Sequence, residues 1–311
     1  MPTDLVVDPR SVLGAGYAAV AIVILLGVTL ACVLLAAVVR RGGASPRTLL
    51  KRWATWGVLA PLWWLAVFSG PLPVAVVVTI FALIGLLEFA RLTDLPDAHR
   101  RLLIGAALVS GVLSLFGSAA LLAAVPILLL AGMLQPVLFP DIRSGVRHLA
   151  FGALAFGYLP LLLGYAVLTV DDLTGGAGIL FATGVAVAFS DIGAYVAGRT
   201  FGRHPLAPAI SPNKTVEGLV GNVLGAVVGY AIFVPVLPPV SPALLAAMPV
   251  VVALGAVWGD LFESALKREF GTKDTGNWLP GFGGLLDRID SLILVLPLIY
   301  YLFRAAGVLK P

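Results

Sequence analysis

From Trp53 to Leu87 this chain contains no Asp, Glu, Lys, Arg or His. The same holds from Ser11 to Val39 and from Gly218 to Gly259. An α-helix needs about 20 apolar residues to cross a hydrocarbon core of roughly 30 Å. Runs this long, repeated along 311 residues, predict a polytopic membrane protein. Charged residues make up 12% of the chain and hydrophobic ones 60%. A soluble globular chain is closer to one quarter charged, so that class is excluded. Cys32 is the single cysteine, which rules out an intramolecular disulfide. The start, "MPTDLVVDPR", lacks the basic segment of a signal peptide, so the first apolar run is expected to be a retained helix.

The fold class expected is all-α, with about ten transmembrane helices. They lie near residues 12–39, 53–69, 73–90, 102–118, 120–138, 149–169, 176–198, 219–237, 244–262 and 291–308. Basic residues set the orientation. Alternate connections hold 17 of the 20 Lys and Arg residues, all but Arg10, Arg304 and Lys310. The connections "GPLP", "VDDLTGG" and "PPVSP" hold none. Every basic loop is therefore expected on the cytoplasmic side, in a bacterial-type inner membrane. Residues 1–170 read as a transmembrane scaffold. Residues 171–311, with two cytoplasmic loops, read as the functional half, because most of the intramembrane acids and Gly-rich turns fall there.

On "GDLFESALKR", Asp260, Glu263, Ser264, Lys267 and Arg268 share one helical face. An ordinary polar helix end is the plainer reading, but Asp260 borders the hydrocarbon region, where an unpartnered charge is costly. Asp287 and Asp290 share a face at the start of the last helix. Two acids from each segment could gather around a hard cation such as Mg²⁺, which takes carboxylate oxygens and brings phosphate with it. Gly283 and Gly284 permit close backbone approach and anion-facing N–H groups between Lys273 and Arg288. Asp191, preceded by Ser190, lies within an apolar run, where an acid is either functional or a helix clamp. "SPNKTVEG" reads as a turn followed by a helix start, with Lys214 near the membrane. Gly221, Gly225 and Gly229 suit close helix packing. His99, His148 and His204 lack metal-ligand spacing.

These residues resemble the phosphatidate cytidylyltransferase family, the CDP-diacylglycerol synthases. Its signature runs, in outline, S-x-x-K-R-x4-K-D-x-G-x2-L-P-x-H-G-G-x-x-D-R-x-D. Here Ser264 to Asp290 reads "SALKREFGTKDTGNWLPGFGGLLDRID". Upstream, "SDIGAYVAGRTFGRHPLAPAISPNKTVEG" is similar to the family's other block. The likeness covers roughly residues 150–300; the earlier spans match only in hydropathy. Phe282 stands where the signature has histidine, which leaves a standard enzyme, a divergent paralogue and an inactive relative as alternatives.

The resemblance implies that CTP and phosphatidic acid, or a related lipid phosphate, give CDP-diacylglycerol and pyrophosphate at the cytoplasmic face. It implies catalytic roles for Lys267, Arg268, Lys273, Asp274 and Arg288. It implies substrate contacts at Ser190, Asp191, Ser211, Lys214, Thr215, Glu217, Ser264, Gly283 and Gly284. Asp260 and Asp287 match the family's metal-site aspartates, with Glu263 and Asp290 beside them on the same faces. Mg²⁺ is the expected ion, a second cation being an open alternative. Membrane lipids and a homodimer partner are expected, and nucleic acid is not. The competing classes are an ion-coupled transporter and a non-catalytic lipid-binding relative.

Overall fold

The computed structural model describes residues 9–39, 46–138, 144–272, 275–276 and 283–310. Eleven α-helices and one short hairpin account for most of them: α1 (Pro9–Val39), α2 (Pro46–Phe68), α3 (Pro71–Leu92), α4 (Asp97–Leu113), α5 (Ser118–Leu138), α6 (Gly145–Phe156), α7 (Leu162–Asp172), α8 (Gly176–Phe201), β1 (Pro205–Ala207), β2 (Ser211–Thr215), α9 (Val216–Phe233), α10 (Pro242–Glu269) and α11 (Leu286–Ala305). Each apolar run became a helix, because only internal backbone hydrogen bonding is tolerable in lipid. α6 and α7 form one rod through a π-helical turn at Gly157–Leu161. Pro160 lies inside that turn and has no N–H to give, so the ladder widens there.

Among the described residues, seven segments are long and apolar enough to cross a bilayer. They run through α1, α3, α4, the α6–α7 rod, α8, α9 and α10. The expected count was ten. Helices do form at the other three positions, but they are shorter or more charged. α2 opens on Arg47, Lys51 and Arg52. The apolar part of α5 is a shorter helix, Ser118–Leu134. α11 opens on Asp287, Arg288 and Asp290 and closes on Arg304.

The connections alternate between two ends of the bundle. At one end, Arg268 Nε donates to Ile210 O at 3.3 Å, and the Leu285 amide donates to Glu88 at 2.9 Å. His99 and His148 stack edge to face there at 5.2 Å, as do Phe151 and Phe270 at 5.5 Å. At the other end, Thr174 Oγ1 donates to Leu309 O at 2.9 Å, and Tyr17 OH to Ile232 O at 2.7 Å. Two basic residues outside the basic loops sit at this second end with local acceptors. Arg304 bonds Ser118 and Tyr300, and Lys310 Nζ bonds Val170 O at 2.9 Å. Once Cys32 is replaced, single cysteines at Thr272 and Thr174 will therefore react with impermeant maleimide from opposite faces. Labelling of both from one face would overturn the arrangement.

α7 is the centre of the bundle. Leu163 to Val170 are all buried, and α7 packs on α3, α8 and α11. Lipid offers no hydrophobic drive for helices to associate, so close approach of backbones matters. A Cβ on Gly225 would fall 2.1 Å from Phe189 O, and one on Gly221 2.4 Å from Gly193 O. The glycine ladder of α9 thus seats it against α8. A Cβ on Gly259 would fall 2.2 Å from Asp290 O, which fixes how closely α10 lies against α11. That contact positions the acids.

Candidate active site

Where α10 meets α11, carboxylate oxygens of Asp260, Glu263 and Asp290 lie within 4.8 Å of one another. Glu263 and Asp290 are buried, at 1% and 7% exposure. Two ammonium groups close on the cluster. Lys214 Nζ, from β2, is 2.6 Å from Asp260. Lys267 Nζ is 2.5 Å from Glu263 and 2.8 Å from Asp287. The Ser291 amide donates to Asp290 at 2.8 Å, and Ser264 Oγ lies 3.4 Å from Asp260. Three hard oxygen donors, two of them on buried side chains, suit a divalent cation such as Mg²⁺.

Asp287 takes a different place from the other three acids expected at a metal. Its oxygens accept from Lys267, from the Thr275 amide at 3.2 Å, from Thr275 Oγ1 at 3.0 Å and from the Gly284 amide at 3.1 Å. Burial opposes its charge, but the hydrogen bonds from Lys267 and Thr275 outweigh burial and lower the carboxyl below the usual aspartate range. Asp287 thus locks the turn before α11. Gly283, at φ +89°, lets the chain make that turn, and a Cβ on Gly284 would strike Thr275 Oγ1 at 2.3 Å. The anion that the Gly284 N–H faces here is the Asp287 carboxylate.

The upstream block divides among several tasks. The β1–β2 hairpin carries Ser211 and presents Lys214 to Asp260. Thr215 caps α9 by accepting from Gly218 N at 3.0 Å. Glu217 accepts from the amides of Arg203 and His204 and meets the His204 ring at 2.6 Å, so it clamps the loop. Ser190 donates to Asn222 and ties α8 to α9. Asp191 reaches the cluster's edge, with Ser291 Oγ at 3.5 Å. Arg268 is exposed and directed to the hairpin through Ile210 O, and Arg288 is exposed on α11. Lys273, Asp274 and Phe282 lie outside the described residues.

In the sequence Glu88 falls at the cytoplasmic end of the third expected span, in the half read as scaffold, with no task assigned to it. Fully buried at the end of α3, it accepts from Leu285 N at 2.9 Å and Leu286 N at 2.8 Å. It caps α11 from another helix, and the helix dipole favours an anion there. Its signal was present: it is the first charge after Leu87, at the close of the long uncharged run. An acid in such a place requires a partner.

The sequence profile of the cytidylyltransferase family matches residues 50–306. This chain belongs to that family. A phosphatidate cytidylyltransferase of Pseudomonas aeruginosa is 50% identical over 163 residues, covering 52% of this chain and 59% of the relative. One of Staphylococcus saprophyticus is 41% identical over 158 residues, covering 50% and 60%. One of Mycobacterium leprae is 37% identical over 154 residues, covering 50% and 49%. The matched region thus spans about half the length of these relatives.

Proposed function

We propose that this protein transfers the cytidylyl group of CTP to phosphatidic acid or a related lipid phosphate. The products are CDP-diacylglycerol and pyrophosphate. One observation carries the reading: three carboxylates and two lysines converge at the basic end of a membrane bundle, inside the segments that match the family. A nucleotide arrives there from water and a lipid phosphate from the bilayer. By the positive-inside rule this end faces the cytoplasm.

A phosphate oxygen of the lipid attacks the α-phosphorus of CTP. The bond from that phosphorus to the bridging oxygen of the β-phosphate breaks, and pyrophosphate leaves. The attacking phosphate monoester is already anionic near neutral pH, so no general base is required. What remains is positioning and charge neutralisation, which dominate phosphoryl-transfer catalysis. Asp260, Glu263 and Asp290 would hold Mg²⁺, which supplies Lewis acidity and a template for in-line displacement. Lys214 and Lys267 fix the cluster, while Arg268 and Arg288 offer exposed charge to phosphates. Phe282 cannot hydrogen-bond to phosphate as the signature histidine can, and its ring suits packing on lipid or a base.

Purified protein given labelled CTP, Mg²⁺ and phosphatidic acid will form CDP-lipid and release one pyrophosphate per lipid product. No product with any phospholipid acceptor, beside a working control enzyme, would overturn the reading. Product from Phe282→His alone would make the present chain the inactive relative. A transporter is disfavoured because the acids gather at one end of the bundle rather than at the midplane.

A further inference from the structure

On the far side of α6 from the acid cluster, two apolar grooves run along α4. The first, of about 260 Å³, lies between α4, α5 and α6. The second, of about 350 Å³, lies between α4 and α5. Leu102, Ala106 and Leu128 line both, so only one ridge separates them. The second reaches from Arg101 to Leu113 on α4, about 18 Å along the axis at 1.5 Å per residue. One leaflet of hydrocarbon is about 15 Å deep. The grooves therefore have the depth of one leaflet and the pairing of two chains on one lipid. None of the clustered acids lines either groove.

Their polar lining lies at one end only. His99 lines the first groove and Arg101 the second, both within the first turns of α4. The His148 ring stands 5.2 Å from that of His99. Asp97 pairs with Arg100 at 3.5 Å, which leaves the charge of Arg101 as the net charge of this turn. It is the same end that holds the basic loops. Further along, Val109 and Ile127 in the second groove are each more than half exposed and Leu129 in the first is exposed, so the grooves open toward lipid.

Two glycines strengthen the case. Gly105 lines the second groove and Gly152 the first, and both lie inside helices. Glycine in a helix interior costs about 0.5–1 kcal/mol relative to alanine. In α9 close packing explains the glycines. Here it does not, since an added Cβ at Gly105 or Gly152 meets nothing within 4 Å. A side chain added at either position would instead project into open space at the grooves.

We propose that the paired grooves bind one anionic diacyl phospholipid as a resident lipid, apart from the reacting acceptor. One chain fills each groove, and the phosphate lies between His99 and Arg101. Basic pockets between membrane helices on the cytoplasmic side recognise anionic headgroups in this way.

The test uses the full chain in mild detergent and in bilayers. Lipid retained through purification is counted by mass spectrometry. Spin-labelled phosphatidylglycerol and phosphatidylcholine report relative affinity. The protein will retain anionic lipid and prefer phosphatidylglycerol about fivefold, the effect of one basic side chain at the surface. Gly105→Leu with Gly152→Leu fills both grooves with a better helix former and will reduce retained lipid at least about fivefold. His99→Ala with Arg101→Ala keeps the grooves but will erase the preference; it also serves should the leucine pair fold poorly. Unchanged retention and preference in these variants would overturn the proposal. So would leucine variants that dissociate a dimer without losing lipid, because a second copy would then cover the grooves.

Discussion

Asp260→Asn will lower CTP-dependent formation of CDP-lipid by about 100- to 1000-fold, the loss typical when one preorganised electrostatic group leaves a reacting centre. Asp260 is the most accessible of the three clustered carboxylates. Its side chain is 42% exposed, whereas Glu263 and Asp290 are buried. Asparagine keeps the shape and one carbonyl oxygen, so the fold will survive with little change in thermal unfolding. What disappears is one negative charge from the ion site and the 2.6 Å pairing with Lys214. Magnesium ion then binds more weakly, and the concentration for half-maximal turnover will rise along with the fall in rate. Lys51→Ala, on the exposed start of α2, will leave both quantities unchanged. An Asp260→Asn protein with wild-type turnover and magnesium requirement would remove this carboxylate from the proposed metal site.

The parts of this molecule that follow local rules were legible in the sequence. Uncharged runs became helices, the glycines of α9 became a close crossing with α8, and the stripe from Asp260 to Arg268 did share a helix. Residues whose task depends on a distant segment were harder to read. Glu88 looked like the polar end of a span, yet its partners lie 197 and 198 positions away. Asp287 and Asp290 are three residues apart and seemed equivalent. Asp290 joins the carboxylate cluster, while Asp287 is drawn off by Lys267, Thr275 and Gly284. Spacing shows that two acids share a face, but it does not show which donors reach each one. The hairpin was also missed, because "PLA" and "SPNKT" are too short and polar to show strand alternation. Among the described residues, seven of the ten expected spans are long and apolar enough for a simple membrane crossing, for a related reason. A helix can form at a predicted span and still carry more charge than a simple membrane crossing usually does, as α11 shows.

Lys267→Met tests the link between the two acid groups. Lys267 is the one cation paired with both Glu263 and Asp287 among the described residues, and all three side chains are buried to 16% exposure or less. Methionine retains the bulk of the stem and removes the ammonium. Breaking a buried ion pair from one side leaves uncompensated charge and costs about 3–5 kcal/mol. Asp287 keeps its donors from Thr275 and Gly284, so the turn before α11 will hold better than the seat of Glu263. Turnover will fall at least about 100-fold, equivalent to about 2.7 kcal/mol of barrier, and thermal stability will drop with it. Two further variants separate these effects. Lys267→Arg keeps the charge but presents a planar fork in place of a compact ammonium, so it will recover more stability than turnover. Glu263→Gln with Lys267→Met deletes both charges of the closer pair. It will be more stable than Lys267→Met alone, a coupling expected of residues in contact, yet it will remain nearly inactive because a carboxylate of the metal cluster has gone. If Lys267→Met keeps wild-type stability and turnover, the lysine does not organise the site. If the double variant regains turnover together with stability, the ion pair matters only for folding, and Glu263 has no part in holding the metal.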